Sequence, residues 1–475
     1  MQRVTQVCNT VRKQITPTIR ERRFVESNAE EVRVKVEQEC EKAGLSAEVR
    51  LDGSVAKDTW INEHVDADIF MRVSPTLTKD QLRLICLPIA KKALKPNQVT
   101  ERFAEHPYVE SVVESKAGRL RVNVVPCYQV QKGEWLSATD RTPFHTEYIQ
   151  KHLNSEQRNE VRLLKAFLRS IGSYGADIKT GGFSGMLCET LVAAYGEFPE
   201  IIRNFKEWQE NRFIDIEDYY KERRNEVKKI FREPLIVIDP VDKGRNLGSA
   251  VRPEQLWNFV AASRHFLEHP SRRFFNEPNP KPLNVGEFKR MAHNRGSNLL
   301  CLNIGHVDAV VDILWSQLYR TQRAIAQLLH NNDFEPIRTA AWSDERELNI
   351  LLFELSTDTL PTSRRHLGPP TSKINESLAF LRKHSKRHGT VAGPWIENDR
   401  WVVEKQRTTT SAPALLNTAL VSGGARIGVA SLIQRAFRKN LVILKDEEIA
   451  ALISSSLEFG KFMRTYFSGR PIWLD

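Results

Sequence analysis

The chain has 475 residues, too many for one compact core, so roughly two to four domains are expected. Hydrophobic residues at 41% and aromatics at 8% exclude large-scale disorder, while 70 Lys plus Arg against 59 Asp plus Glu leave a net charge of +11 that favours a polyanionic partner. The six cysteines form no CxxC pair, which excludes a zinc ribbon and a disulfide framework. The opening MQRVTQVCNTVRKQ lacks a signal-peptide core, and no apolar run approaches the ~18 residues of a membrane span. A soluble, cytoplasmic protein is expected.

In chain order, residues 22–43 carry apolar side chains at helical spacing and end near Gly44. SAEVRLDGS then alternates like a short strand and delivers the chain to Gly53 and Ser54. Further strands are predicted at VDADIFMRV and RLRVNVVPCYQV, giving a small mixed sheet with flanking helices over the first 146 residues. From 147 the pattern turns helical, through EVRLLKAFLRSIG and a charged stretch, IEDYYKERRNEVKKIFRE. LIVIDPVD interrupts it, and another long helix is predicted from Pro253 to His269. The remainder, 270–475, mixes strands and helices such as LNILLFEL and INESLAFLRKHS. The expected architecture is α+β and multidomain, with boundaries near 146 and 269.

The chemistry concentrates at GSVAKDTWINEHVDADIF, residues 53–70. A Gly-Ser turn entering a helix offers N–H groups and a hydroxyl to triphosphate oxygens. Asp66 and Asp68, two apart on a strand, project from one face and converge on one point. Such a pair suits Mg²⁺, a hard cation that shares its shell with phosphate and hydroxyl oxygens, and two ions could activate an RNA 3′-hydroxyl and stabilise departing pyrophosphate. Alone, a DxD pair would more simply be two solvated acids on an exposed strand; the upstream Gly-Ser turn shifts the reading to catalysis.

GSVAKDTW, DADIF, VNVVPCY, DRTPFH, EVRLLKAFLRSIGSYGA, GGFSGMLCE and IDPVDKGRN follow one another between residues 53 and 246. In this order they resemble the archaeal-type (class I) CCA-adding enzymes; the last 230 residues resemble that family only weakly. The resemblance implies a nucleotidyltransferase head (1–146), a helical neck that clamps the nucleotide (147–269) and an α/β body with a tail that holds tRNA (270–475). It implies addition of C, C and A to the 3′ end of tRNA from CTP and ATP. Asp66, Asp68 and the position of Asn123 correspond to metal ligands. Ser54 and Lys57 correspond to triphosphate contacts, and Thr142 and His145 to sugar and phosphate contacts. Lys165 and Tyr174, with Ala176 nearby, correspond to the clamp, and Arg245 to the arginine that reads the incoming base. That last role has a physical basis: cytosine N3 and adenine N1 are acceptors, whereas uracil and guanine present an N–H there, so a fixed guanidinium favours C and A.

The pattern breaks at Asn123, where the family carries a third carboxylate. An amide removes a negative charge and cannot share in deprotonating the hydroxyl. A substrate-trapping substitution, a catalytically impaired homologue and an RNA-binding protein without activity all remain open. Oligoadenylate and cyclic-nucleotide synthases share the GS and DxD pattern, but DRTPFH and IDPVDKGRN argue against them. Gly181 also stands where a basic residue is expected.

Basic clusters at Lys221–Lys229, at Arg272 and Arg273 before Phe274 and Phe275, and at Arg382–His388 fit a surface along a tRNA acceptor stem and elbow, although any one of them could be a solvated helix face. His384 and His388 have the spacing of a metal pair but lack an acidic or cysteine partner. VSGGARIG is expected to be a loop entering a basic helix. Whether the chain forms a homodimer is left open.

Overall fold

The computed structural model describes residues 2–62, 65–103, 107–115, 118–209, 212–385 and 389–474. The chain divides into two compact units, one comprising 1–278 and 470–475 and the other 279–469.

The first unit begins with a helix at Gln2–Ile15 and a second at Ile19–Lys42. The second starts earlier than its apolar spacing suggests because Thr18 and Glu21 close a reciprocal capping box, satisfying N–H groups that the first turn leaves orphaned. Five strands follow: β1 (Ala47–Asp52), β2 (Asp66–Val73), β3 (Val99–Phe103), β4 (Pro107–Ser115) and β5 (Gly118–Tyr128). They form a mixed sheet in the order β1-β2-β5-β4-β3, parallel only between β2 and β5. The three strands read from alternation are thus β1, β2 and β5.

Alternation decides what each face of this sheet does. Val49, Ala67, Ile69, Met71, Val73, Leu120, Val122 and Val124 pack on Val25, Ala29, Val32, Val36 and Cys40 of the helix Ile19–Lys42, which recur every three or four residues. The intervening residues, among them Asp52, Asp66, Asp68 and Asn123, are thereby turned to the opposite face.

A second core gathers the helices Ser155–Ser170, Gly185–Tyr195, Phe198–Phe205 and Pro253–Glu268, with Val4, Cys8 and Val11 from the N-terminal helix. Phe274 and Phe275, which follow the basic pair Arg272 and Arg273, are buried in it against Phe167. The first compact unit thus holds two hydrophobic clusters, the second of which draws on the N-terminal helix as well as on residues beyond 146. A small sheet of β6 (Phe213–Ile214), β7 (Ile236–Asp239) and β8 (Asp242–Asn246) lies in this region. The charged stretch 216–233 is helical only at Arg224–Ile230. Its apolar anchors, Tyr220, Val227 and Phe231, are too few to define a long buried stripe, and turns occupy the rest.

The second unit holds a four-stranded sheet of β9 (Asn298–Asn303), β10 (Pro336–Ser343), β11 (Asn349–Leu355) and β15 (Val442–Lys445), and a three-stranded sheet of β12 (Ser363–Pro370), β13 (Thr390–Glu397) and β14 (Arg400–Gln406). LNILLFEL supplies β11, buried along its whole length, and INESLAFLRKHS forms the helix Ile374–His384. VSGGARIG is a turn with left-handed Gly424 and Gly428, leading towards the helix Ser431–Asn440. No described helix is long and apolar enough to cross a membrane.

Candidate active site

The polar face of the head sheet begins at a tight turn. Gly53 has φ +72°, and a Cβ there would collide with the Asp68 carboxylate, so only glycine lets the Gly53–Ala56 turn press against that side chain. Ser54, half-buried, opens the turn. Asp68 accepts a hydrogen bond from Asn123 Nδ2 at 2.9 Å. Burial pushes the Asp68 carboxyl up to about 6, with Asp66 adding to the rise and the Asn123 amide opposing it. Asn123 Oδ1 is buried and has no hydrogen-bond partner. Asp66 is half-buried, with Arg121 Nε at 3.6 Å.

These donors fit a hard divalent cation. Asp66 and Asp68 lie on one face of β2, and Asn123 offers an unspent carbonyl oxygen beside Asp68. In β1, Asp52 is fully buried, and neither of its carboxylate oxygens has a hydrogen-bond partner.

The lysines that the resemblance assigns to the triphosphate are packed into a buried network. Lys57 Nζ lies 2.5 Å from Glu189 Oε2, and Lys165 Nζ lies 3.3 Å from Glu189 Oε1. Lys165 also donates to the Thr59 carbonyl at 3.0 Å, while Thr59 Oγ1 donates to Glu189 at 2.6 Å. Burial raises the Glu189 pKa, but Lys57 and Lys165 outweigh it and leave the carboxyl below its ordinary value. The Tyr174 hydroxyl and Lys165 Nζ flank Gly185, where a methyl group would sit 3.4 and 3.7 Å from them. Arg169 lies over the Tyr174 ring at 5.0 Å. Ala176 is exposed on the turn that follows.

A second network reaches Arg245. His145 Nε2 meets Asp239 at 2.8 Å, and Arg245 Nη1 donates to the same carboxylate at 3.3 Å. Burial holds the His145 pKa below its ordinary value, against the pull of Asp239. Thr142, half-buried, begins the helix Thr142–His152 that carries His145. Lys57 exerts its charge on Asp52, Asp68 and His145 alike, so the sheet carboxylates and His145 share one electrostatic neighbourhood.

Three acids were missed in the sequence. Glu189 is a lone acid in the apolar run MLCETLVAA, Asp239 ends the buried strand IVID, and Asp52 alternates with Arg50 on β1. Glu189 and Asp239 carried a signal, because a lone charge on an apolar element needs a partner, whereas Asp52, on the charged strand AEVRLD, carried none.

Gly181 has its own explanation. The Arg252 side chain occupies the space of a Cβ there and donates to the Lys179 and Thr180 carbonyls at 3.0 and 2.6 Å, so a guanidinium from elsewhere in the chain covers this position. His384 is buried against Phe380, at 4.4 Å between ring centroids. His388 lies outside the described residues. His265, Glu268 and His269 cluster on another helix, but the Arg273 guanidinium stands 3.3 Å from His265 Nε2 and opposes a cation there.

A mixed sheet with paired carboxylates behind a Gly-Ser turn, together with Lys57 of that turn and Lys165 of the helix Ser155–Ser170 joined through Glu189, is the arrangement of a nucleotidyltransferase. Residues 159–276 match the second domain of tRNA nucleotidyltransferase, and residues 295–445 match the C-terminal domain of the CCA-adding enzyme, where the motifs were faint. The chain is 32% identical to a CCA-adding enzyme of Methanopyrus kandleri, with 98% of each chain covered. Against that of Halobacterium salinarum it is 35% identical, covering 89% of this chain and 90% of the other. Against that of Methanothermobacter thermautotrophicus it is 33% identical over 88% and 89%. This chain belongs to the family of CCA-adding enzymes, which are tRNA nucleotidyltransferases. A slighter likeness joins it to the Cid1 poly(U) polymerase, with TM-score 0.45 and 13% identity over 58% of this chain and 98% of that one.

Proposed function

We propose that this protein adds C, C and A to the 3′ end of tRNA in the cytoplasm, taking the nucleotides from CTP and ATP without a nucleic-acid template. The observation that carries the reading is the pair Asp66 and Asp68 on one face of β2, beside an Asn123 oxygen with no protein partner. These three residues would hold two Mg²⁺ ions, which supply Lewis-acid activation of the 3′-hydroxyl and neutralise charge on the leaving pyrophosphate. Ser54, Lys57 and Lys165 bind the triphosphate, and Glu189 holds both ammoniums aligned in a buried setting. Tyr174, with Ala176 on the adjoining turn, closes the clamp. Thr142 and His145 contact sugar and phosphate, with Asp239 fixing the imidazole.

Arg245 reads the ring acceptor of C or A. Asp239 braces it through one nitrogen, and its side chain keeps 38% of its exposure, which leaves donors for a base. The acceptor stem and elbow of tRNA follow the basic surfaces.

One observation favours a second reading, a catalytically impaired homologue that binds tRNA. Asn123 donates to Asp68 instead of adding a negative charge. Incorporation of labelled CMP and AMP into tRNA lacking its CCA end, compared between this chain and Asn123→Asp, separates the two. Activity in both supports the enzyme, activity only in Asn123→Asp supports the impaired form, and silence from both overturns the assignment. With ATP alone and no tRNA, synthesis of oligoadenylate or cyclic products would move the protein to that other class.

A further inference from the structure

A row of side chains crosses the polar face of the head sheet. Asp52 of β1 is the direct partner of Asp68 on β2, and Asp68 is in turn the partner of Asn123 on β5. Cross-strand partners share a face with Cβ atoms about 4.5–5.5 Å apart. Asp68 is therefore flanked by an amide on one side and a carboxylate on the other.

The two flanking groups differ in how they are satisfied. Asn123 has a definite bond, from its amide to Asp68. Asp52 is 0% exposed, and neither oxygen has a hydrogen-bond partner. Arg50 approaches one oxygen only to 3.5 Å and makes its shorter contact, 2.7 Å, with Glu147. The nearby Thr146 hydroxyl donates to the Thr142 carbonyl at 3.1 Å. Other buried carboxylates here are saturated. Asp140, for instance, accepts from the N–H groups of Tyr128, Leu136 and Ser137 and from the Ser137 hydroxyl. Among the described residues, Asp52 alone has both carboxylate oxygens buried and unpartnered. A buried carboxylate with so little protein compensation takes up a proton unless a cation from outside the chain holds it in its charged form.

We propose that Asp52 is a positioning residue of the divalent-cation site, supplying from the β1 side of Asp68 the third negative charge that Asp66 and Asp68 by themselves lack. The inference rests on the reading of Asp66 and Asp68 as cation ligands. Being fully buried, Asp52 acts through Asp68. Its carboxylate steers that side chain and adds negative potential where two divalent ions would otherwise meet only two charges.

The test is Mn²⁺ binding to the full chain, followed by water-proton relaxation without tRNA or nucleotide. Asp52→Asn is expected to weaken binding roughly 10- to 100-fold while the protein stays folded. Adding Asn123→Asp to that variant restores a carboxylate on the other flank of Asp68 and is expected to recover most of the affinity. Unchanged Mn²⁺ affinity in Asp52→Asn, or no recovery in the double variant, overturns the proposal. If Asp52→Asn does not fold, Asp52→Val, which leaves no polar group to satisfy, takes its place, and failure of both to fold assigns Asp52 to the architecture and equally overturns it. Failure of the tRNA reading looks different: Mn²⁺ binding would respond to Asp52 and Asp66 as expected, while no CMP or AMP entered tRNA.

Discussion

Two buried carboxylates, one in each compact unit, are treated oppositely by their surroundings. Glu354 on β11, with its side chain 1% exposed, accepts from Ser297 Oγ and Arg295 Nε at 2.6 Å, and from Arg338 Nε and Tyr466 Oη at 3.1 Å. Asp52 on β1 is as deeply buried and accepts no hydrogen bond, and its neighbour Asp68 accepts one from Asn123. Burial is common to both places, and satisfaction separates them. A carboxylate surrounded by donors holds a fold together, whereas carboxylates left short of donors keep their lone pairs for a ligand that the chain does not contain. Glu189 stands between these cases. It is saturated, but by two lysines assigned to a triphosphate.

The largest effect that sharpens this contrast is on chemistry. Asp68→Ala should lower CMP incorporation by roughly 1,000-fold or more without lowering the melting temperature, because it removes a charge the fold does not compensate. Activity within tenfold of the parent would break the comparison. Glu354→Ala should do the reverse. Stranding Arg295 and Arg338 without their shared carboxylate should cost about 2–4 kcal/mol in urea unfolding, with kcat and KM of the folded protein unchanged. Arg245→Ala should reduce the preference for CTP and ATP over UTP by about tenfold, read from kcat/KM for each nucleotide, and an unchanged preference would take base reading away from this residue.

The smallest effect is on pH dependence. Burial holds the His145 pKa below its unfolded value, so just below that value the unfolded chain binds a proton that the folded chain does not. Stability should therefore be full above about pH 6.5 and fall as the pH drops below it. His145→Gln should flatten that fall between pH 7 and 5.5. The depressed pKa of Asp239 adds its own loss at more acidic pH, outside this window.

Much of the active-site strand was legible because its determinants are local. Period-two alternation placed Asp66 and Asp68 on one face, and the same rule identified β1, β2 and β5. The helix Ile19–Lys42 followed from apolar spacing, though its true start lay with Thr18, whose capping box is itself a readable signal. The stretch 216–233 misled because charge density and helix-forming residues suggested a helix that its three buried apolar side chains do not support.

By itself, then, the sequence determined the DxD strand, the Gly-Ser turn before it, the order of motifs through residue 246 and the basic surplus, since each depends on spacing along the chain or on composition. Only the tertiary structure decided that Lys57 would meet Glu189, that Arg252 would cover Gly181, and that Asp52 would stand opposite Asp68. Strand register and helix docking bring together residues far apart in the chain. Those pairings follow from packing two hydrophobic clusters rather than from any local propensity, so the same residues read in a line give no sign of which charges will be answered and which will be left for a ligand.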